Sequence, residues 1–183
     1  MAESYSAKGS IVSPVNREIE ARPLTATDWS PFGWVPLRDT DPRDGEARLQ
    51  FEWSDVHLNL ISHQADEVPH TDRGLVCEKL FRHLTHTQAL LVLNCPAVVA
   101  VARAGCTFET SDDTDEIRAF LLAPGDSLVL HRGTWHWGPF PISEPRVDLY
   151  NIQGLRWPED NNCARLDALD ASVEVVTGHA NVH

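Results

Sequence analysis

One stretch narrows the choice of folds more than any other. Pro124-Gly125-Asp126 has the composition of a tight turn, the residues from Leu128 to Leu130 form a short apolar run, and Gly133 precedes His136 by three residues. Proline and glycine preset the backbone angles that turns need, and so short an apolar run between turn signals suits a strand. Successive side chains of a strand point to opposite faces. A histidine just after such a turn can therefore point into the mouth of a barrel, where small β-barrels hold their ligands.

The same grammar recurs along the chain. Leu49, Phe51 and Trp53 alternate with polar residues, Ser54-Asp55 makes a turn, and Val56, Leu58 and Leu60 alternate again. Apolar runs at 89–93 and 98–102 are separated by Asn94-Cys95-Pro96, and further runs fall at 117–122, 127–130, 147–152 and 173–176. Residues 65–74, with Pro69, and the acidic 110–116 are expected to be loops. The one helical signal is early: Thr25 can cap a short helix, Asp28 can return the bond as in a capping box, and Pro31-Phe32-Gly33 ends it. Many short strands at close intervals predict an all-β sandwich or closed barrel.

At 183 residues the chain is expected to form one domain, with a polar arm over 1–20, a globular body over 21–176 and a loose tail over 177–183 that holds His179 and His183. Acidic residues outnumber basic ones 27 to 15. That argues against a nucleic-acid surface, which needs a basic footprint. A small anionic substrate would need a local arginine or lysine. Cys77, Cys95, Cys106 and Cys163 make no C-x-x-C pair, so free thiols in a reducing compartment are expected. The N-terminus lacks the apolar core of a secretory signal, and no run approaches the roughly 18 apolar residues of a membrane helix. The expected location is the cytoplasm.

Two patterns carry a resemblance. The run Gly125, His131, Gly133, His136 is similar to the second motif of the cupin barrels, with His131 in the usual proline position and His136 in that of the metal-binding histidine. Three blocks in order resemble the ureidoglycolate lyases (formerly ureidoglycolate hydrolases), cupin enzymes of purine and allantoin breakdown. They are Pro23-Leu24-Thr25 through Pro31-Phe32-Gly33, then Arg82-His83-Leu84-Thr85-His86-Thr87-Gln88-Ala89, then His131-Arg132-Gly133-Thr134-Trp135-His136. Asp160-Asn161-Asn162-Cys163 is similar to the family's acidic end segment. The chain also departs from the pattern. Phe81 replaces a glutamate, Leu84 and His86 replace a proline and a glycine, Trp137-Gly138 replaces histidine-proline, and Gln153-Gly154 replaces an Asp-Arg pair.

The resemblance implies a cupin β-barrel (a double-stranded β-helix, or jelly roll) with a short N-terminal helix, a homodimer, and cleavage of ureidoglycolate into urea and glyoxylate. Carried over residue by residue, it places His83 and Gln88 at two early metal-ligand positions and His136 at the late one, with Phe81 where another ligand would stand. A divalent metal, nickel by family association, is one reading; hydrogen-bonded pocket residues without metal is the other. His83, His131, His136 and Gln88 are the candidate catalytic residues. Arg132 and Arg82 are candidate carboxylate binders, Lys79 can reach the same mouth, and Trp135 either walls the pocket or fills the core. Phe81 and the tryptophans make the pocket more apolar, which favours a first rival, a metal-dependent cupin isomerase, cyclase or oxygenase; a non-enzymatic small-molecule-binding cupin is the second.

Overall fold

The computed structural model describes residues 15–178. In chain order its strands are β1 (Arg17–Glu20), β2 (Arg22–Pro23), β3 (Gly33–Trp34), β4 (Val56–Gln64), β5 (Gly74–Cys77), β6 (Lys79–Arg82), β7 (Gln88–Val92), β8 (Ala97–Ala102), β9 (Arg118–Leu122), β10 (Ser127–Leu130), β11 (Trp135–Pro141), β12 (Arg146–Gly154), β13 (Asn162–Arg165) and β14 (Val173–Val176). One α-helical turn, α1 (Ala26–Trp29), lies between β2 and β3. The strands form a five-stranded sheet, β3-β10-β7-β12-β4, a six-stranded sheet, β13-β6-β11-β8-β9-β2, and a three-stranded sheet, β1-β14-β5.

The two larger sheets face each other as an all-β, cupin-like barrel. Their inner faces share one buried cluster: Leu90 and Val92 of β7, Leu128 and Leu130 of β10, and Val147 and Leu149 of β12 meet Val99 and Val101 of β8. A second cluster lies on the other side of the six-stranded sheet. There Ala100, Ala102, Trp135 and Trp137 pack with Leu75, Val173 and Val175 of the three-stranded sheet. Alternate residues of β8 therefore serve two cores. That is why its Ala-Val-Val-Ala-Val-Ala run is apolar throughout and buried at every position.

The helical turn closes one end of the barrel. The Asp28 backbone N–H donates to Thr25 Oγ1 (3.1 Å), and the Thr25 hydroxyl donates to the Asp28 carboxylate (2.8 Å), close to the expected cap. Trp29 is fully buried and donates its indole N–H to the Val129 carbonyl (3.0 Å). With Phe32 and Phe120 it fills that end by ring contacts, tilted between Trp29 and Phe32 and edge-on to Phe120.

Several expectations need correction. Arg17–Glu20, assigned to the arm, pairs in parallel with β14 as β1. Leu49, Phe51 and Trp53 form no strand; only Phe51 makes an isolated bridge, to His86. The acidic segment is a short 3-10 helix, Ser111–Glu116. Strands β5, β6, β11 and β13 were not foreseen. β11 contains Gly138, Pro139 and Pro141, which weaken any strand reading, and its register against β8 shifts between Trp137 and Phe140. Residues 1–14 and 179–183, with His179 and His183, lie outside the described residues. No described helix is long and apolar enough to cross a membrane.

Candidate active site

Strand alternation builds a polar wall at one end of the barrel. On β11, Trp135 and Trp137 face the covering sheet, so His136 between them faces inward, opposite Val101 of β8 and Phe81 of β6. On β7, Gln88 shares the inward face with Leu90 and Val92. On β12, Asn151 and Gln153 continue the inward series begun by Val147 and Leu149, and they pair with Asn59 and His57 of β4. The barrel is thus aliphatic along one part of its inner wall and lined by amides and imidazoles along the rest.

The amides form a directed chain. Gln88 Nε2 donates to Asn151 Oδ1 (2.9 Å) and to Gln153 Oε1 (3.4 Å), and Asn151 Nδ2 donates to Asn59 Oδ1 (2.8 Å). This direction leaves the buried Gln88 Oε1 as an acceptor without a hydrogen-bond partner among the described residues.

The loop after β6 brings in two more imidazoles. His83 stacks on His86, with ring centres 4.6 Å apart and planes 19° from parallel, and its other neighbour, His136, lies 5.2 Å away at 48°. Asp160, just before β13, anchors this loop. Its carboxylate accepts the backbone N–H groups of Leu84 (3.0 Å) and Thr85 (2.7 Å) and the Thr85 hydroxyl (2.5 Å). The loop is tied to the late motif as well: the Gly133 N–H donates to the His83 carbonyl (2.6 Å). Gly133 holds φ at +79°, in the left-handed region, where a side chain would also press on Ala104.

Hydrogen bonds assign the tautomers. His83 Nδ1 faces the Asp160 carbonyl (3.3 Å) and His136 Nδ1 faces the Thr134 carbonyl (3.2 Å). A carbonyl can only accept, so each Nδ1 carries the proton and each Nε2 keeps its lone pair. Burial disfavours the charged form of both rings. His136 is pushed down to about 3 by desolvation first and by its neighbour His83 second. His83 is lowered by burial, against the opposing pull of Asp160. His86 falls to about 4 through burial and His83. Burial works to raise the Asp160 carboxyl, but the hydrogen bonds from Thr85 and Leu84 outweigh it and hold the group below its usual range.

Of the residues singled out in the sequence, the fold gathers three, His83, Gln88 and His136, at this wall. The others lie elsewhere. His131 is exposed and its ring packs against Trp34 (5.4 Å). Arg82, next to Phe81 on β6, turns to the opposite face, where its guanidinium lies 4.2 Å from the ring centre of Trp135. Trp135 faces that side too and donates to the Cys106 carbonyl (2.9 Å). Lys79 is exposed, with its ammonium 5.7 Å from the Phe81 ring centre. Arg132 sits at the rim: its Nε donates to the Leu84 carbonyl (2.8 Å), and its Nη2 lies 3.4 Å from the Glu52 carboxylate. Sequence reasoning passed over His86, Asn59, Asn151 and Gln153 as site residues. The signal for the last two was there, since they occupy alternate positions after Val147 and Leu149.

His83, His136 and Gln88 offer two neutral imidazoles and an amide oxygen, with no anionic ligand, and Phe81 fills the place of another donor. The Asp160 carboxylate is spent on the loop. Among the described residues no group of three or more His, Cys, Asp or Glu could hold a metal ion. A set of neutral donors holds a divalent metal less tightly than one that includes a carboxylate or thiolate.

A cupin-like barrel with paired neutral imidazoles beside a buried chain of amides is an arrangement suited to an enzyme that moves protons. The sequence comparisons agree in kind. The ureidoglycolate lyase family matches residues 45–175. The chain is 31% identical over 141 residues to the ureidoglycolate lyase of Rhodobacter capsulatus, a match covering 67% of this chain and 78% of that protein. A dTDP sugar isomerase from Desulfovibrio desulfuricans is similar in structure with a TM-score of 0.42 and 15% identity, over 75% of this chain and 76% of that one. The chain belongs to the ureidoglycolate lyase family.

Proposed function

We propose that this protein is a carbon–nitrogen lyase that cleaves ureidoglycolate into glyoxylate and urea. The observation that carries the reading, beside family membership, is the His83–His136 pair: two imidazoles 5.2 Å apart, each with Nδ1 on a backbone carbonyl and Nε2 unprotonated. The substrate is a hemiaminal. Its hydroxyl loses a proton as the carbon–oxygen double bond forms, the carbon–nitrogen bond breaks with its electron pair going to nitrogen, and that nitrogen takes up a proton. One imidazole Nε2 accepts the hydroxyl proton. The imidazolium so formed is destabilised by burial and gives the proton up readily to the leaving nitrogen. His136 or His83 can serve as this ring, accepting the proton at Nε2 and returning it to the leaving nitrogen. The unpaired Gln88 Oε1 is an acceptor suited to a ureido N–H. Arg132, hydrogen-bonded to the carbonyl of the residue after His83, is the guanidinium nearest to hand for the carboxylate.

The reading extends to assembly and location. The four thiols are free, which suits the cytoplasm. A homodimer is supported by β4, an edge strand whose outward side chains Val56, Leu58 and Leu60 are exposed.

The experiment is urea and glyoxylate release from racemic ureidoglycolate, measured above the spontaneous rate, with native, chelator-treated and metal-supplemented protein. Release that is abolished by His136→Ala and unchanged by chelation is expected. No release under any condition overturns the lyase reading, and release that requires metal overturns the metal-free one.

A further inference from the structure

Two positions far apart in sequence meet at the edge of the imidazole group. A Cβ built on Gly154 would lie 3.0 Å from His86 Nδ1 and 3.2 Å from its Cγ. The His86 ring therefore occupies room that any side chain at 154 would begin to fill. Both positions are among the departures from the family pattern noted in the sequence. We propose that His86 and Gly154 act as one unit whose task is to position His83 for proton transfer; the catalytic part of this inference rests on the lyase reading.

The packing around His86 is complete on every side but one. Its side chain is 2% exposed. One face stacks on His83 (4.6 Å, 19°) and the ring of Phe51 lies nearly parallel to it, 6.4 Å away at 8°. Its Nδ1 lies 3.3 Å from Thr85 Oγ1 and 3.6 Å from Asp160 Oδ2. The Thr85 hydroxyl has one hydrogen and gives it to Asp160, so its oxygen accepts from His86 Nδ1–H. The proton is thereby fixed on Nδ1, and Nε2 is left buried without a hydrogen-bond partner among the described residues.

Asp160 links the two rings. Its carboxylate holds Thr85 and lies beside His86, and its own carbonyl accepts the His83 Nδ1 proton. With one face covered by a parallel ring and one nitrogen on a fixed carbonyl, His83 has a single plane and a single tautomer. Its Nε2 is then held in one direction, beside the ring of His136. A glycine at 86 would remove the stacking surface, and a larger residue at 154 would push it out of place.

The test uses the full-length protein and the variants His86→Gly, His86→Phe, Gly154→Ala and the double variant His86→Gly/Gly154→Ala. The first readout is the His83 imidazole N–H resonance in nitrogen-15 NMR, which needs no substrate. It is expected to persist in the wild type and in His86→Phe, where stacking survives, and to be lost to exchange in His86→Gly. The second is thermal stability: Gly154→Ala is expected to lower Tm in the wild-type background and to have less effect once His86 is glycine. The third is kinetic: His86→Gly should lower kcat about tenfold with KM within about twofold, and His86→Phe should recover most of the loss. An unchanged His83 resonance in His86→Gly, additive effects on Tm, or a rise in KM with kcat intact each overturns the proposal. If the wild type does not turn over ureidoglycolate, the lyase reading fails by itself, and the resonance and the stability cycle decide the positioning role.

Discussion

His83 and His136 come within 5.2 Å of each other, ring centre to ring centre, yet neither spends a hydrogen bond on the other. Each gives its Nδ1 proton to a main-chain carbonyl, of Asp160 and Thr134 respectively. The backbone thus sets both tautomers, and both basic nitrogens remain available for chemistry. The arrangement suits the proton transfer proposed for this site, since a pair bonded to each other would have to be broken first.

The pH behaviour follows from burial. His136 is pushed down to about 3, and His83 is also lowered, so both are neutral at pH 7. An unfolded chain binds those protons near the ordinary histidine value of about 6.5. Between the two values the unfolded state holds more protons than the native one, so stability is complete above about 6.5 and is lost as pH falls below it. Each such group contributes about 1.4 kcal/mol per pH unit. Denaturation midpoints between pH 7 and 4 should fall, and His136→Gln should reduce that slope. The acid limb of kcat/KM should lie below 6.5 for the same reason; a limb centred at or above 6.5 would contradict the neutral pair.

Arg132 and Arg82 separate into different roles. Arg132 is held at the rim by the Leu84 carbonyl, whereas Arg82 lies over Trp135 on the far face of its sheet. Arg132→Gln is expected to raise KM for the carboxylated substrate at least fivefold, with a smaller change in kcat, by loss of a charge-assisted hydrogen bond. Arg82→Gln should leave KM unchanged and lower Tm through the lost contact with the indole. Steady-state kinetics and a melting curve on both variants check the assignment. The reverse pattern would move the carboxylate site.

Asp160 should be costly to replace. Its buried carboxylate satisfies two backbone N–H groups and a hydroxyl. Asp160→Ala leaves those donors without partners and is expected to cost roughly 1.5–3 kcal/mol. Denaturant titration measures this. The loss of kcat should be larger than in Thr85→Ala, because Asp160 holds the backbone of both Leu84 and Thr85 next to His83, whereas the Thr85 hydroxyl makes only one of these bonds.

Alternation and turn chemistry made much of the barrel legible. Gly125 takes a φ of +91°, as the Pro124-Gly125-Asp126 turn requires, and β10 and β14 fall where their apolar runs placed them. His83, Gln88 and His136 of the candidate site stand in the blocks that carry the family resemblance, so their positions in the chain could be picked out. The remaining site was hidden for a physical reason. Which face of a strand points inward depends on its partners, and β4 shows this sharply: His57, Asn59 and Ile61 turn to the barrel while Val56, Leu58 and Leu60 turn out. For the same reason nothing local told that Arg82 and Trp135 would leave the pocket. The bond from Asp160 to Thr85 joins residues 75 apart, a relation that no local pattern carries.

The outward face of β4 leads to the last prediction. Leu58 and Leu60 are each 63% exposed, Tyr150 opposite Leu60 is 45% exposed, and the strand runs nine residues along an edge of its sheet. A long apolar edge with open backbone groups is a site for further strand pairing unless it is covered. An antiparallel strand set against its own copy across a two-fold axis is self-complementary, so one strand can supply both halves of a closed interface. That is the dimer proposed for this chain. Sedimentation equilibrium is expected to give a dimer for the native protein and a monomer for Leu58→Glu/Leu60→Glu. Because these side chains point away from the barrel, the variant should keep its fold by circular dichroism and retain the His83–His136 pair. A native monomer, or a dimer that survives the charged pair, would show that something other than a second copy covers this strand.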